Sequence, residues 1–166
     1  MLKHRIEVDI TQQTLSLVRG DECLQTYSVS TAKNGAGEAE GSERTPRGKH
    51  RVAAKIGGGL SPAAALQGRR PTGEVWSQTL HAEAPERDWI LSRILWLEGC
   101  ENGINRGSNK SGHCVDSMRR YIYIHGTPDC ETMGEPKSHG CVRMRNSDVI
   151  DLYNQVEPGT PVLIYE

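Results

Sequence analysis

The sequence predicts a mainly β fold, one domain spanning residues 1–166, and three observations carry that prediction. Apolar and polar side chains alternate with a period of two through the first thirty residues, the signature of half-buried strands. The run Tyr121-Ile122-Tyr123-Ile124 is β-branched and aromatic. Only one stretch, Ser147 to Val156, carries a helical stripe. A length of 166 residues matches one domain at roughly 100–200 residues each. With 36% apolar residues, 18 Gly and 8 Pro, the expected core is thin and the turns are many.

In chain order, Ile6, Val8 and Ile10 form a first strand, and Thr11-Gln12-Gln13 a turn. Leu15 and Leu17 make a second strand, and after Gly20-Asp21 a third holds Leu24, Tyr27 and Val29, giving a meander. Residues 31–48 contain almost nothing apolar and read as a mobile loop closing on the turn Thr45-Pro46-Arg47-Gly48. His50 to Ile56 is a further strand, broken by Gly57-Gly58-Gly59. Within the ambiguous stretch 60–88, Ala63–Gln67 reads as one helical turn, bounded by prolines. Trp89 to Leu97 is a strand, residues 99–118 a loop, and Arg119 to His125 a strand. The helix from Ser147 has Asn146 or Ser147 as its cap and Asp148 near its positive end. Pro158-Gly159 stops it, and Pro161 to Tyr165 is the last strand.

Several function classes drop out. The longest apolar runs, such as Ile94-Leu95-Trp96-Leu97, have four residues, against the ~20 a membrane helix requires. With 20 basic and 21 acidic side chains there is no net field to attract nucleic acid or anionic lipid. The group Arg44, Arg47, Lys49 and Arg51 reads as a solvated edge; His4, His50 and His81 read as surface residues, and Trp76, Trp89 and Trp96 as packing. Met1 to Glu7 carries positive charge with no apolar stretch behind it, so no export signal is expected. The five cysteines, at 23, 100, 114, 130 and 141, are expected as reduced thiols.

Two segments carry chemistry: His125-Gly126-Thr127, and Ser138-His139-Gly140-Cys141-Val142-Arg143-Met144 thirteen residues on. A thiol of ordinary pKa, ~8.5, is barely ionised at neutral pH, so a nucleophilic cysteine needs an imidazole to take its proton. Acyl transfer also needs N–H donors for an oxyanion, which a Gly-containing turn such as His139-Gly140-Cys141 supplies. Arg143, two residues past the sulfur, suits a substrate carboxylate. In an extended segment residues i and i+2 share a face, so His139 is a second candidate to contact Cys141.

From Tyr121 to Val162 the chain resembles the catalytic core of the L,D-transpeptidase (YkuD-type) family. The family pattern is His-Gly-Thr after a strand, then Ser-His-Gly-Cys-aliphatic-Arg-Met, a helix and a Gly-Thr-x-Val strand, matched here by Gly159-Thr160-Pro161-Val162. The turn Thr45-Pro46-Arg47-Gly48 resembles one in the family's first half. The resemblance implies a β-sandwich-like catalytic fold with one or two short helices. It implies Cys141 as nucleophile and His125 as general base, with the Gly126 carbonyl orienting the ring and His139 in support. The Gly140 and Cys141 N–H groups would form the oxyanion hole, and Arg143, Ser138 and Thr127 would bind substrate. No cofactor or metal is implied.

The implied substrate is a peptidoglycan stem tetrapeptide or muropeptide, cleaved between the L-centre of its third residue and terminal D-Ala through a Cys141 thioester. With no export signal expected, the resemblance is to a cytoplasmic branch that trims recycled muropeptides by hydrolysis. A periplasmic location, should a leader have been removed, and transpeptidation in the wall are the alternatives. A carbapenem is an expected covalent inhibitor. Two other classes compete: a non-catalytic stem-peptide binder, and a zinc module on His113, Cys114, Cys130 and Cys141 or His139, whose spacings do not match paired zinc knuckles.

Overall fold

The computed structural model describes residues 3–166; Met1 and Leu2, part of the N-terminal stretch read above, lie outside the described residues. The alternating pattern does form the expected meander: β1 (His4–Asp9), β2 (Thr14–Arg19) and β3 (Glu22–Ser30) pair antiparallel in sequence. There follow β4 (Gly48–Ile56), β5 (Ala64–Gln67), β6 (Arg70–Val75), α1 (Gln78–Glu83) and β7 (Ile90–Gly99). The chain ends with β8 (Tyr123–Thr127), β9 (Val142–Arg145), α2 (Asn146–Gln155) and β10 (Pro161–Tyr165).

One sheet runs β4-β10-β1-β2-β3-β9-β8-β7-β5-β6, and β4 also pairs with β7. Eight strands therefore close a ring, and the β5–β6 hairpin extends from β7 outside it. Closure removes the open edges that a flat sheet would expose. Inward side chains of the ring meet Val149 and Leu152 of α2, and Val156 just after it, in one apolar cluster that includes Ile6, Leu17 and Ile164. The fold is mainly β, as the sequence predicts, and its two short helices fall within the one or two that the resemblance implies.

Local expectations fail where tertiary pairing overrides propensity. Ala63–Gln67 is not helical. Ala64–Gln67 is a strand because Ala65 and Leu66 pair with Leu91 and Ile90 of β7. Its hairpin turns at Gly68 and Arg69, both at positive φ (55° and 63°), the conformation of a two-residue hairpin turn. Helix α1, not expected, starts at Ser77, whose hydroxyl accepts from the Leu80 N–H at 3.2 Å. The strand expected from Arg119 begins only at Tyr123, because Tyr121 sits at φ 56° in a turn. Helix α2 is capped by Arg145, without a side-chain bond, rather than by Asn146 or Ser147.

The loop after β3 is pinned rather than mobile. Thr45 Oγ1 accepts from the Ala32 N–H and donates to the Gly140 carbonyl, both at 2.9 Å. Lys33 donates its N–H to the Ser138 carbonyl at 2.9 Å. The Thr-Pro-Arg-Gly turn thus straps the first half of the chain to the segment that carries Cys141. Within the basic group, Arg47 pairs with Glu38 and Glu166, and Arg51 with Glu98. His50 is buried, not on the surface.

Candidate active site

The site is built on the parallel pair β8–β9. Ile124 lies level with Val142 and His125 with Arg143. Cys141, one residue before β9, is therefore level with Tyr123. Side chains alternate along each strand. Ile124, Val142 and Met144 point into the core, each 0% exposed, while Tyr123, His125, Cys141 and Arg143 share the opposite face. On that face Cys141 and His125 are diagonal neighbours; strand spacing and a two-residue rise set their Cα atoms about 8 Å apart, within side-chain reach.

His125 is buried. Its Nδ1–H donates to the Gly126 carbonyl at 2.7 Å, which leaves Nε2 as the lone-pair nitrogen, and Nε2 has no partner. Burial holds its pKa below the ordinary imidazole value, against the opposing pull of Asp88, so the ring is a neutral base at pH 7. Gly126 has to be glycine. A Cβ there would stand 2.5 Å from the Leu91 carbonyl and closer still to Asn146 Oδ1. Opposite this point β7 bulges between Leu91 and Ile94, with Ser92 at φ 71°. Bulges of this kind re-aim side chains beside active sites.

The sulfur of Cys141 accepts from the Tyr123 N–H at 3.3 Å and donates to the Tyr121 carbonyl at 3.4 Å. Its pKa is pushed up to about 12, chiefly by burial; the Tyr123 N–H acts the other way, Asp88 adds to the rise, and Arg143 and Arg120 oppose it. A thiol shifted that far is protonated at neutral pH. The sulfur is bonded to these two backbone groups, and the Nε2 of His125, on the same sheet face, has no partner.

Other candidates stand differently from expectation. Ser138 is buried. Its hydroxyl donates to the Cys141 carbonyl at 2.5 Å and accepts from the Gly140 N–H at 3.2 Å. It shapes the turn instead of facing substrate, and it occupies the Gly140 N–H expected for the oxyanion. Thr127 is also buried, at 2% exposure, and offers no surface to substrate. Arg143 is committed: its guanidinium donates to Asp88 at 2.8 Å. His139 is exposed and lies 3.6 Å from the same carboxylate, not against the sulfur.

Asp88 is the residue that the sequence does not reveal. Burial would raise its pKa, but in acid the protonated His125 and His139 rings, together with the charge and hydrogen bond of Arg143, win and hold it below the ordinary carboxylate range. It stands just before β7, 55 residues from Arg143, with no periodic or motif signal around it.

All five cysteines are free. The zinc set considered above is not assembled. Among the described residues, the one group of three donors within 4.8 Å of one another is His81, Cys130 and Glu131. It shares only Cys130 with that set. Among the described residues no helix is long and apolar enough to cross a membrane.

A family model for the L,D-transpeptidase catalytic domain (YkuD) matches residues 3–164. The chain belongs to that family. Two proteins of Bacillus subtilis (strain 168) named for L,D-transpeptidase are similar to it. YqjB is 46% identical over 95 residues, covering 57% of this chain and 51% of that protein. YkuD is 38% identical over 65 residues, covering 37% and 40%. The matches thus span about half or less of those relatives' length. Among solved structures, L,D-transpeptidase 3 from Mycobacterium tuberculosis, in complex with a faropenem-derived adduct, superposes with a TM-score of 0.60. That superposition covers 99% of this chain and 61% of that one at 16% identity, a likeness of fold. In this L,D-transpeptidase domain the family motif Ser-His-Gly-Cys falls on the turn at the head of β9, and the upstream His-Gly-Thr falls within β8.

Proposed function

We propose that this domain is a cysteine acyl-transfer enzyme acting on peptidoglycan stem tetrapeptides, with Cys141 as nucleophile and His125 as general base. The observation that carries the reading is the single unpartnered nitrogen of a buried, neutral imidazole on the same sheet face as the thiol. His125 Nε2 takes the thiol proton, and the thiolate attacks the carbonyl that joins the third residue to terminal D-Ala. The Cys141 N–H receives the oxyanion, joined by the Gly140 N–H when its bond to Ser138 exchanges. The imidazolium returns its proton to the departing amine, D-Ala leaves, and a thioester remains. Water, deprotonated by His125, then releases the tripeptide acid and restores the thiol.

Water is the acceptor we favour. The concavity that adjoins Cys141 is open and about 260 Å³. Water reaches a thioester in such an open concavity without a seat of its own, whereas an amine acceptor has to be bound beside it. On this reading the activity is that of an L,D-carboxypeptidase of muropeptide recycling in the cytoplasm, a location that cell fractionation tests. Attack by an amine, giving cross-links or D-amino-acid exchange, is the alternative outcome. Incubation with a tetrapeptide, with and without a D-amino acid, separates the two by product mass. Tripeptide in both arms is expected; exchange product dominating in the second arm overturns hydrolysis. A carbapenem or penem should add to Cys141, seen as an intact-mass increase that Cys141→Ala abolishes. No adduct and no turnover would leave a stem-peptide binder.

A further inference from the structure

We propose that Arg120 is a carboxylate-binding subsite beside Cys141, which seats the C-terminal carboxylate of the residue that leaves. The inference rests on the acyl-transfer reading above and names the group that recognises the substrate's end.

The position was expected for Arg143, but that guanidinium is already neutralised by Asp88 at 2.8 Å. Arg120 is the opposite case. Its Nη1 donates to the Gly37 and Glu38 carbonyls, at 3.4 and 3.0 Å, and its Nη2 to the Arg44 carbonyl at 2.6 Å. These contacts fix the group in place without cancelling its charge. None of the ion pairs among the described residues includes it. A guanidinium has five N–H donors, so two remain for an anion. The side chain is partly buried and burial works against its charge, while Glu38 and Glu40 favour that charge without pairing with it directly, so an arriving carboxylate meets a partly dehydrated cation with no carboxylate in contact.

Its position fits the task. Arg120 lines the concavity that contains Cys141, together with His139, Tyr121, Glu40 and Glu43. Its Nη2 is 3.9 Å from where a Cβ on Gly140 would stand, beside the nucleophile's turn. A terminal carboxylate lies one residue past the scissile carbonyl, about 3.8 Å along the chain. A cation adjoining the sulfur's own turn is where that group arrives. Glu40 and Glu43 are exposed on the strap at the rim. They disfavour a polyanion and leave a seat for a single carboxylate. The strap that presents them is the one whose carbonyls hold Arg120, so the subsite and the Thr45 anchor belong to one unit.

The test measures binding in the Cys141→Ala background, where no bond is broken. Calorimetry compares a stem tetrapeptide ending in free D-Ala with the same peptide ending in the primary amide. The acid should bind at least tenfold tighter. Adding Arg120→Gln should bring that ratio near one by weakening the acid alone; Arg120→Lys should restore part of it, and Arg143→Gln should leave it unchanged. An unchanged ratio in Arg120→Gln, or its loss in Arg143→Gln alone, overturns the proposal. Amide binding that survives in Arg120→Gln shows that the site is still folded; if it is lost, the Lys variant decides, retained discrimination supporting the subsite and full loss of it overturning it. Turnover by the unmodified enzyme is measured separately. Its absence would sink the acyl-transfer reading, while the binding ratio would still report on Arg120.

Discussion

Two imidazoles are buried to the same degree, His50 at 2% exposure on β4 and His125 at 1% on β8. Burial lowers both pKa values, so both rings are neutral in the folded chain. Their nitrogens differ. His50 is closed at both ends, with Nε2 2.8 Å from Ser117 Oγ and Nδ1 3.0 Å from the Gly48 carbonyl. His125 is closed at Nδ1 only. A buried polar atom without a partner costs about 1–3 kcal/mol. A fold that closes one ring completely and leaves the other open is keeping a proton acceptor at the expense of stability. Burial alone does not mark chemistry, and neither does an unfilled valence alone, since Trp89 Nε1 and Ser92 Oγ are also unpartnered; an unfilled valence on a neutral imidazole that shares a sheet face with a thiol does.

Exchanging each ring for glutamine is the strongest way to break this contrast. His125→Gln should slow acylation of Cys141 by about 10²–10⁴, the usual worth of a positioned base. The rate of carbapenem adduct formation, followed by intact mass, reads it. His50→Gln should leave that rate within a few-fold but lower stability by about 1–3 kcal/mol, because Ser117 loses its buried partner. Similar rate losses in the two variants would erase the distinction.

Thr45 sharpens the comparison as a second fully satisfied buried group. Its hydroxyl joins the Ala32 N–H to the Gly140 carbonyl. Thr45→Val keeps the shape and strands both partners, so urea unfolding should show a loss of about 2 kcal/mol. A loss below about 0.5 kcal/mol would mean that the strap is not anchored through this bond.

The pH dependence of stability tests whether both rings are neutral. A folded pKa held below the unfolded ~6.5 means that the unfolded chain binds more protons as the solution is acidified. The stabilisation is therefore complete above about pH 6.5 and is lost as pH falls through that value toward each folded pKa. The slope approaches about 1.4 kcal/mol per pH unit for each imidazole. Asp88, held low, contributes stability that is lost only when pH drops below the unfolded carboxyl value of ~3.9, outside this window. Urea midpoints between pH 5 and 7.5 should fall with acid, and either glutamine variant should remove about half the slope. A flat profile would show that neither ring is kept neutral.

The alternating strands, the last helix and the two chemical segments were legible because their signals are local. The β8–β9 segments carry a dense motif, and β1–β3 have the period of a half-buried sheet. What was not legible depends on distance. Ala64–Gln67 becomes a strand only against β7, and β9 is four residues long and recognisable only beside β8. Asp88 and Arg120 acquire meaning from partners 55 and 76–83 residues away. Ser138 was read as facing substrate because the motif fixes which residues are adjacent, not which way a hydroxyl turns.

His139 gives the smallest expected effect, and its smallness is informative. It stands two residues before the nucleophile in sequence, where His125 is sixteen away, and like His125 it has Asp88 as a neighbour. Its side chain is 60% exposed, though, and its Nδ1 is 3.6 Å from the carboxylate. An exposed pair at that separation is worth ~0–1 kcal/mol. Water can replace each of its contacts, which no group does for His125 Nε2. His139→Gln should shift stability by less than about 0.5 kcal/mol, discounted for that exposure, and change the acylation rate by less than tenfold. A loss approaching that of His125→Gln would transfer the proton acceptor to His139, and the open nitrogen on β8 would then need another explanation.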